Sequence, residues 1–266
     1  MGNNLTTSLS GLNALVCGST SGIGLAVAQE FAVSGASVTL FARNREKLKS
    51  TVALLQPSNH KEHKYLSGDF NHPENIQKII EKHIGKGNVY HILINNSGGP
   101  KGGPIVDANT SEFIEGFNRH LICNHILSQA LSPGMKNLNY GRIINIISTS
   151  VKEPIQDLGV SNTIRGAVAS WAKTLSVEVA QDGITVNNIL PGFTDTDRLA
   201  SLIEAKSKSQ GKSEDTIAMD MKNQVPSGRF GLPQETAKAI AFLASPAAGY
   251  INGVSLAVDG GRLSCI

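Results

Sequence analysis

The sequence contains little cysteine, and its three cysteines are far apart. Cys17, Cys123 and Cys265 include no C-x-x-C pair, so neither a disulfide framework nor a zinc knuckle is supported. We interpret them as packing residues. The chain also lacks an apolar run near the roughly 18 residues that a membrane span needs, and residues 1–12 lack the basic and apolar blocks of a secretory signal. We therefore expect a cytoplasmic protein with no membrane partner.

Charge and aromatic rings are also scarce. Charged residues make up 17% of the 266 residues, and aromatic residues make up 5%. The 24 basic and 21 acidic residues are interspersed and leave a net charge of +3. With no basic stripe and few aromatic rings to stack on bases, the sequence argues against nucleic-acid binding. Apolar residues are spread along the whole chain, which argues against disorder. The length allows one large domain or two small ones.

Strand and helix patterns alternate along the chain. Short apolar runs typical of strands lie at residues 14–17, 37–41, 64–66, 91–94, 142–147, 185–190 and 254–258. Helical spacing or helix-start signals mark residues 23–33, 45–55, 73–84, about 112–138, 160–180 and 234–244. Strands without polar alternation that are joined by helices predict a parallel sheet covered on both faces. The predicted fold class is therefore α/β, in one doubly wound domain over residues 1–266.

One stretch breaks this alternation. Residues 192–230 are polar and helix-prone, and they follow the sixth predicted strand. Sheets of this kind bind ligands at the carboxyl ends of their strands, and the loops there often carry function. We predict that residues 192–230 form a lid over the substrate.

A glycine-rich loop follows the first predicted strand. Residues 18–24 read GSTSGIG and lead directly into a predicted helix. Glycines here permit a tight turn and a close approach of the backbone to a pyrophosphate, while the helix N-terminus supplies free N–H groups. The residues that we predict to bind a dinucleotide are Gly18, Ser19, Ser21, Gly22, Ile23 and Gly24. The alternative is a glycine-rich turn that serves packing alone.

An arginine follows the second predicted strand. Arg43 lies where an enzyme that prefers NAD would place an acid to bind the ribose 2′-hydroxyl. A guanidinium there can pair with a 2′-phosphate, which favours NADP(H) as the cofactor. A solvated surface arginine is the alternative.

Short polar segments follow the next two strands. Asp69 and Phe70 come after the third strand, and Asn95, Ser97 and Gly98 come at or after the end of the fourth. Because the carboxyl ends of parallel strands meet at one edge of a sheet, we predict that these residues line the cofactor cleft. Each could instead form a strand-end turn.

Taken together, these motifs resemble the short-chain dehydrogenase/reductase family. The motifs that carry the likeness are the glycine loop, Asp69, NNSG at 95–98, GRIINIIS at 141–148, Pro191-Gly192 and VDGG at 258–261. Residues 228–246 also resemble the 3-oxoacyl-carrier-protein reductase branch. The resemblance implies a Rossmann-like seven-stranded sheet in the order 3-2-1-4-5-6-7, a nicotinamide cofactor and a homotetramer or dimer. It also implies that Pro191, Gly192 and Thr194 contact the nicotinamide.

The implied catalytic end departs from the family pattern. Members reduce carbonyls with an Asn, a Ser, a Tyr and a Lys. The serine matches Ser148, but Ser161 and Arg165 stand at the positions of the tyrosine and the lysine. His120 stands at the position of the asparagine, with Asn124 one turn away as the alternative. A serine hydroxyl is a much weaker acid than a phenol, and arginine holds its proton too tightly to relay it. Arg165 can still hydrogen-bond the nicotinamide ribose and stabilise a developing alkoxide.

The proton must therefore come from another group. Lys152 lies in the loop after Ser148, and partial desolvation beside Arg165 would make its ammonium a better acid. His120 is the second candidate, because histidine titrates near neutral pH and can act through a water molecule. We favour Lys152 slightly; a solvated loop lysine and a buried, hydrogen-bonded histidine are the alternatives.

The sequence thus predicts an NADP(H)-dependent oxidoreductase that transfers a hydride between the nicotinamide and a small-molecule carbonyl or alcohol. Ser148 would orient the substrate oxygen, Arg165 would fix the ribose, and Lys152, His120 or water would supply the proton. No metal site is expected. The alternative is a family member without turnover that serves as an NADPH-binding sensor or as a structural partner in a mixed oligomer.

Overall fold

Parallel strands form the centre of the protein. In chain order they are Asn13–Cys17 (β1), Ser37–Ala42 (β2), Lys64–Ser67 (β3), Ile92–Asn95 (β4), Gly141–Ile146 (β5), Ile184–Pro191 (β6) and Ser255–Val258 (β7). They form one seven-stranded sheet in the order β3-β2-β1-β4-β5-β6-β7, and neighbouring strands are parallel. The computed structural model describes residues 5–58 and 62–265. Within them the predicted fold class and the implied strand order are confirmed.

Helices cover both faces of the sheet. They are Gly22–Val33 (α1), Arg45–Leu54 (α2), Pro73–Ile84 (α3), Thr110–Gly116 (α4), Cys123–Asn137 (α5), Gly159–Glu178 (α6), Asp197–Gln210 (α7), Glu214–Asn223 (α8) and Pro233–Ala244 (α9). Successive side chains of a strand point to opposite faces. Ala14 and Val16 of β1 therefore pack with α1 and α9, whereas Leu15 packs with α3, α5 and α6 on the other face. Burial on both faces explains why the central strands are rich in apolar residues and do not alternate regularly between apolar and polar.

The long helix expected over about residues 112–138 is not continuous. A π-helical segment, Phe117–Ile122, separates α4 from α5. A π-helical turn holds more residues than an α-helical turn, and such turns occur frequently at functional sites. Arg119 and His120 lie in this segment.

Residues 192–230 form a small helical unit of their own. Thr196 caps α7 and Ser213 caps α8, each accepting a hydrogen bond from a backbone N–H in the first turn. Apolar side chains of the two helices, including Leu199 and Met221, form a separate cluster. Among the residues that the structure describes, no helix is long and apolar enough to cross a membrane.

Candidate active site

A cavity of about 490 Å³ lies at the carboxyl edge of the sheet. Residues that follow β1 through β6 line it, as expected for a ligand site in a doubly wound fold. The predicted site residues in its lining are Gly18, Ser21, Gly22, Ile23, Arg43, Asp69, Phe70, Ser97, Gly98, Ser148, Ser161, Arg165, Pro191, Gly192 and Thr194. The structure therefore brings most of the predicted cofactor and catalytic residues into one cleft.

The glycine loop is shaped by close backbone approach. Gly18 has φ +58°, and a Cβ at Gly24 would lie 2.1 Å from the Gly18 carbonyl oxygen. A side chain at position 24 would therefore force the loop and α1 apart. Ser21 precedes α1, whose first turn contains no acidic residue. The free N–H groups of this helix start, together with Arg43 at the cleft rim, fit the phosphates of NADP(H).

Two predicted cofactor residues in this region do not line the cleft. Ser19 is fully buried, and its hydroxyl accepts a hydrogen bond from the Phe41 N–H at 3.1 Å. Its side chain therefore ties the loop to β2, while Thr20 lines the cleft beside it. Gly24 also lies outside the lining and acts through packing.

Asn95 is the third predicted cofactor residue outside the cleft. It is 2% exposed, and its Nδ2 donates to Asn145 Oδ1 at 2.9 Å. Asn145 Nδ2 donates to Asn188 Oδ1 at 3.0 Å, and Asn188 Nδ2 donates to Ser255 Oγ at 3.2 Å. This amide ladder crosses β4, β5, β6 and β7. The next residue, Asn96, lines the cleft instead.

Three side chains form the predicted catalytic end. Ser148 follows β5 and accepts a hydrogen bond from the Ser150 N–H at 3.1 Å, which leaves its own O–H free to donate. Ser161 lies in the first turn of α6, and Arg165 lies one turn later on the same helix face. Arg165 Nη1 donates to the Ile146 carbonyl at 2.8 Å, at the end of β5.

Arg165 is a permanent cation in this cleft. It is 9% exposed, and burial, with a further contribution from the charge of Arg198, lowers its pKa to about 10. A guanidinium with this pKa remains protonated at neutral pH. The structure therefore places fixed positive charge near the hydroxyls of Ser148 and Ser161.

Comparison with known sequences gives the family. A sequence model described as enoyl-(acyl carrier protein) reductase matches residues 18–262. The chain belongs to the short-chain dehydrogenase/reductase family. It is 32% identical over 255 residues to the 3-oxoacyl-(acyl-carrier-protein) reductase FabG of Vibrio cholerae, with 95% of this chain and 98% of that protein covered.

Further relatives of this short-chain dehydrogenase/reductase include enzymes described as NADPH-dependent. The NADPH-dependent reductase BacG of Bacillus subtilis is 29% identical, with 95% of this chain and 98% of that protein covered. L-sorbose reductase from Gluconobacter frateurii, solved with NADPH and L-sorbose, superposes with a TM-score of 0.91 at 30% identity, covering 98% of this chain and 99% of that one.

Neither predicted proton donor of this short-chain dehydrogenase/reductase lines the cleft. Lys152 is exposed and lies outside the lining, so the partial desolvation expected for its ammonium is not observed. His120 is buried, and its Nδ1 lies 2.7 Å from Ser97 Oγ. Desolvation, followed by the charges of Arg165 and Arg119, holds the pKa of His120 well below its usual range. His120 therefore does not titrate near neutral pH, and of the two interpretations of this residue the structure shows the buried, hydrogen-bonded histidine.

The sequence patterns missed several lining residues. Arg119 and Arg198 bring two more guanidinium groups to the cleft, and Ile155, Leu158, Phe193, Leu199 and Leu202 give it an apolar wall. Arg119 reaches the cleft from the π-helical segment, which has no sequence signal of its own. Arg198 lies in the predicted lid. In the sequence, a polar residue there looks the same as one in any solvent-exposed helix start.

Proposed function

We propose that this protein is an NADP(H)-dependent oxidoreductase that interconverts a carbonyl and an alcohol. The observation that carries the proposal is the shared cleft. Its glycine loop and Arg43 suit a phosphorylated dinucleotide, and Ser148 and Arg165 lie at its other end. Relatives described as NADPH-dependent reductases support the same cofactor.

The residues at the catalytic end have distinct tasks in this proposal. Bound NADPH supplies a hydride to the carbonyl carbon. The hydroxyls of Ser148 and Ser161 donate hydrogen bonds to the carbonyl oxygen and orient it. The guanidinium of Arg165 stabilises the negative charge that develops on that oxygen and donates to the nicotinamide ribose.

The alkoxide oxygen then takes a proton, and we propose that water beside Ser161 delivers it. Ser161 lines the cleft, whereas Lys152 is exposed and is not among the lining residues. His120 is also outside the lining, and its hydrogen-bond partner Ser97, which lines the cleft, would have to relay its proton. Lys152 and His120 are therefore the second and third candidates.

A specific observation favours one other function, an NADPH-binding sensor or structural partner without turnover. Ser161 stands at the position that the family resemblance assigns to the tyrosine, and no histidine, cysteine, lysine or tyrosine is among the described residues that line the cleft. Under this alternative the protein binds NADPH and transfers no hydride.

One experiment separates these functions. NADPH and NADH binding are measured by fluorescence, and NADPH oxidation is then followed with ketones, aldehydes and 3-oxoacyl thioesters. The oxidoreductase proposal expects tight NADPH binding and turnover with at least one substrate. The double variant Ser161→Tyr with Arg165→Lys restores the family pair and should raise the rate. Tight NADPH binding with no turnover in either protein would support the sensor.

We also propose a homo-oligomer, a tetramer by family resemblance. Large apolar side chains are exposed on α6 at Val177 (68%), on α9 at Phe242 (41%) and on the edge strand β7 at Leu256 (39%). An apolar edge strand left open to solvent favours association with another chain. Light scattering during gel filtration tests this, and a monomer would contradict it.

Two further predictions remain proposals. We propose that residues 192–230 close over the substrate, supported by the position of Phe193, Leu199 and Leu202 in the cleft wall.

We propose a cytoplasmic location, supported by the free thiols of the described cysteines, of which Cys17 and Cys123 are buried.

A further inference from the structure

Two guanidinium groups converge at the substrate end of the cleft. A Cβ at Gly99 would lie 3.8 Å from Arg165 Nη2 and 3.7 Å from Arg198 Nη2. Arg198 Nε lies 3.9 Å from the same point. Gly99 has no side chain, so the space between the two cations is open.

The two cations lack an acidic partner. Among residues 5–58 and 62–265, neither Arg165 nor Arg198 has a carboxylate within ion-pair distance. Their described hydrogen bonds go to backbone carbonyls, from Arg165 to Ile146 and from Arg198 to Pro100. Arg165 Nε is buried and has no partner in the described part of the chain. Two like charges in a partly desolvated cavity repel each other unless an anion lies between them.

Arg119 also lines the cleft, but its guanidinium, unlike those of Arg165 and Arg198, has a carboxylate within ion-pair distance. Its Nε and Nη2 both donate to Asn71 Oδ1, at 2.9 and 2.6 Å, and Glu115 lies 3.9 Å away. Its donors are thus occupied and its charge is partly compensated. Facing Gly99, Arg165 Nη2 and Arg198 Nε have no hydrogen-bond partner in the described part of the chain, and Arg198 Nη2 keeps its second N–H beside the bond to Pro100.

The pair lies away from the sites proposed for the cofactor phosphates. Arg43 follows β2 and the glycine loop follows β1, whereas Arg165 is bonded to the end of β5. With strands ordered β2-β1-β4-β5, the ends of β2 and β5 are three strand spacings apart, about 14 Å. Leu158 and Leu199 of the apolar wall lie in the same cavity. An anion between the guanidiniums would therefore lie outside the proposed phosphate sites and within the part of the cavity left for a substrate.

We propose that Arg165 and Arg198 form an anion site and that the substrate is an oxo acid, whose carboxylate they bind beside the reacting carbonyl. The inference rests on the proposed oxidoreductase function. Guanidinium groups suit a carboxylate because their planar donors match its two oxygens. The carboxylate would orient the carbonyl toward Ser148, and its charge would offset the repulsion between the two cations.

The first test uses malonate, a dicarboxylate without a ketone, as a probe that needs no turnover. Calorimetry measures its binding to the protein already saturated with NADPH. We expect a Kd of about 1 mM or tighter, and Arg198→Gln should weaken it at least about 10-fold. Lys101→Gln is the matched control, because Lys101 is an exposed cation on the same loop outside the cleft lining, and it should bind malonate normally.

The second test substitutes Gly99, so that a side chain occupies the space between the two guanidinium groups. Gly99 does not have a positive φ, and a Cβ there would make ordinary van der Waals contacts. Gly99→Asp places a carboxylate between the guanidiniums and should abolish malonate binding while NADPH binding persists. Gly99→Asn fills the same space without the charge, so malonate should bind it more weakly than wild type but more tightly than Gly99→Asp.

Three outcomes would overturn the anion site. They are no malonate binding to the NADPH complex, equal binding by wild type and Arg198→Gln, and malonate that binds only in competition with NADPH. The last result would assign the arginines to the cofactor phosphates.

Turnover distinguishes failure of this inference from failure of the proposed function. Pyruvate and acetoacetate are each compared with their ethyl esters as oxidants of NADPH. Preference for the acids supports the anion site, and equal rates with acids and esters contradict it while the oxidoreductase function stands. If no carbonyl compound oxidises NADPH, the oxidoreductase function fails, and malonate binding still decides whether the anion site exists.

Discussion

The two ends of the cleft differ in how closely they follow the family. At the nucleotide end, the glycine loop and Asp69 match family motifs, and they line the same cleft as Arg43. At the catalytic end, the family resemblance implies that Ser161 and Arg165 stand in place of the tyrosine and the lysine. The nucleotide end depends mainly on backbone geometry, whereas the catalytic end depends on the acidity of a few side chains. Binding of the cofactor and delivery of the proton can therefore change independently.

The largest expected effect comes from the nucleotide end. Gly24→Val should eliminate measurable NADPH binding, because even its Cβ would lie 2.1 Å from the Gly18 carbonyl oxygen. Fluorescence titration with NADPH measures this, and circular dichroism checks that the variant is folded. Gly166→Ala is the control: this exposed position of α6 has nothing within 4 Å, so it should keep NADPH binding and gain about 0.5–1 kcal/mol of stability. Normal NADPH affinity in Gly24→Val would contradict the proposed role of the loop.

The next effect belongs to the catalytic end. Arg165→Met should lower kcat about 100-fold, because it removes the cation that stabilises the alkoxide. NADPH affinity should fall less, by under about 10-fold, since only the ribose contact is lost. Steady-state kinetics with an accepted carbonyl substrate and NADPH titration measure the two quantities. Equal losses in both would mean that Arg165 serves cofactor binding alone.

The cofactor preference gives a smaller effect. Arg43→Gln should weaken NADPH binding roughly 10- to 100-fold, which is the range for loss of a charge-assisted hydrogen bond to phosphate. NADH binding should stay unchanged, because NADH has no 2′-phosphate. Parallel fluorescence titrations of both nucleotides measure the difference. If both affinities fell together, Arg43 would be acting on the fold of the loop instead.

The smallest effect concerns pH. Burial holds the pKa of His120 well below its usual range, so the folded protein keeps it neutral. Below about pH 6.5 the unfolded chain binds this proton and the folded chain does not, so stability should fall as pH decreases, by up to about 1.4 kcal/mol per pH unit. His120→Gln should flatten this dependence in urea denaturation between pH 7.5 and 5. His72→Gln, at an exposed position, should leave it as in wild type.

Much of the fold could be predicted from the sequence, because the buried strands β1, β2, β4 and β5 are short segments rich in apolar residues and without polar alternation. The nucleotide end could also be located, since its motifs follow strand ends. Which side chain of a motif faces the cleft could not be predicted. Asn95 and Asn96 are adjacent, yet one enters the amide ladder and the other lines the cleft.

For Lys152 and His120 the sequence left two interpretations open, and the structure shows the exposed loop lysine and the buried, hydrogen-bonded histidine. Position in the chain could not decide between them, because burial decides the chemistry of each side chain. Lys152 is exposed, whereas His120 is turned inward within a π-helical segment that interrupts the expected helix. Exposure of a single side chain depends on contacts from distant elements, which periodicity does not report.

The amide ladder has a mechanical consequence for this enzyme fold. Asn95, Asn145, Asn188 and Ser255 bind β4 to β5, β6 and β7 through side chains in addition to the backbone. The boundary between the nucleotide end and the catalytic end runs through these strands, so a hinge there would have to break buried hydrogen bonds at a cost of about 1–3 kcal/mol each. The floor of the cleft is therefore rigid. Under the lid role that we propose for residues 192–230, opening for substrate and product would fall to that helical unit, which contributes no strand to the sheet.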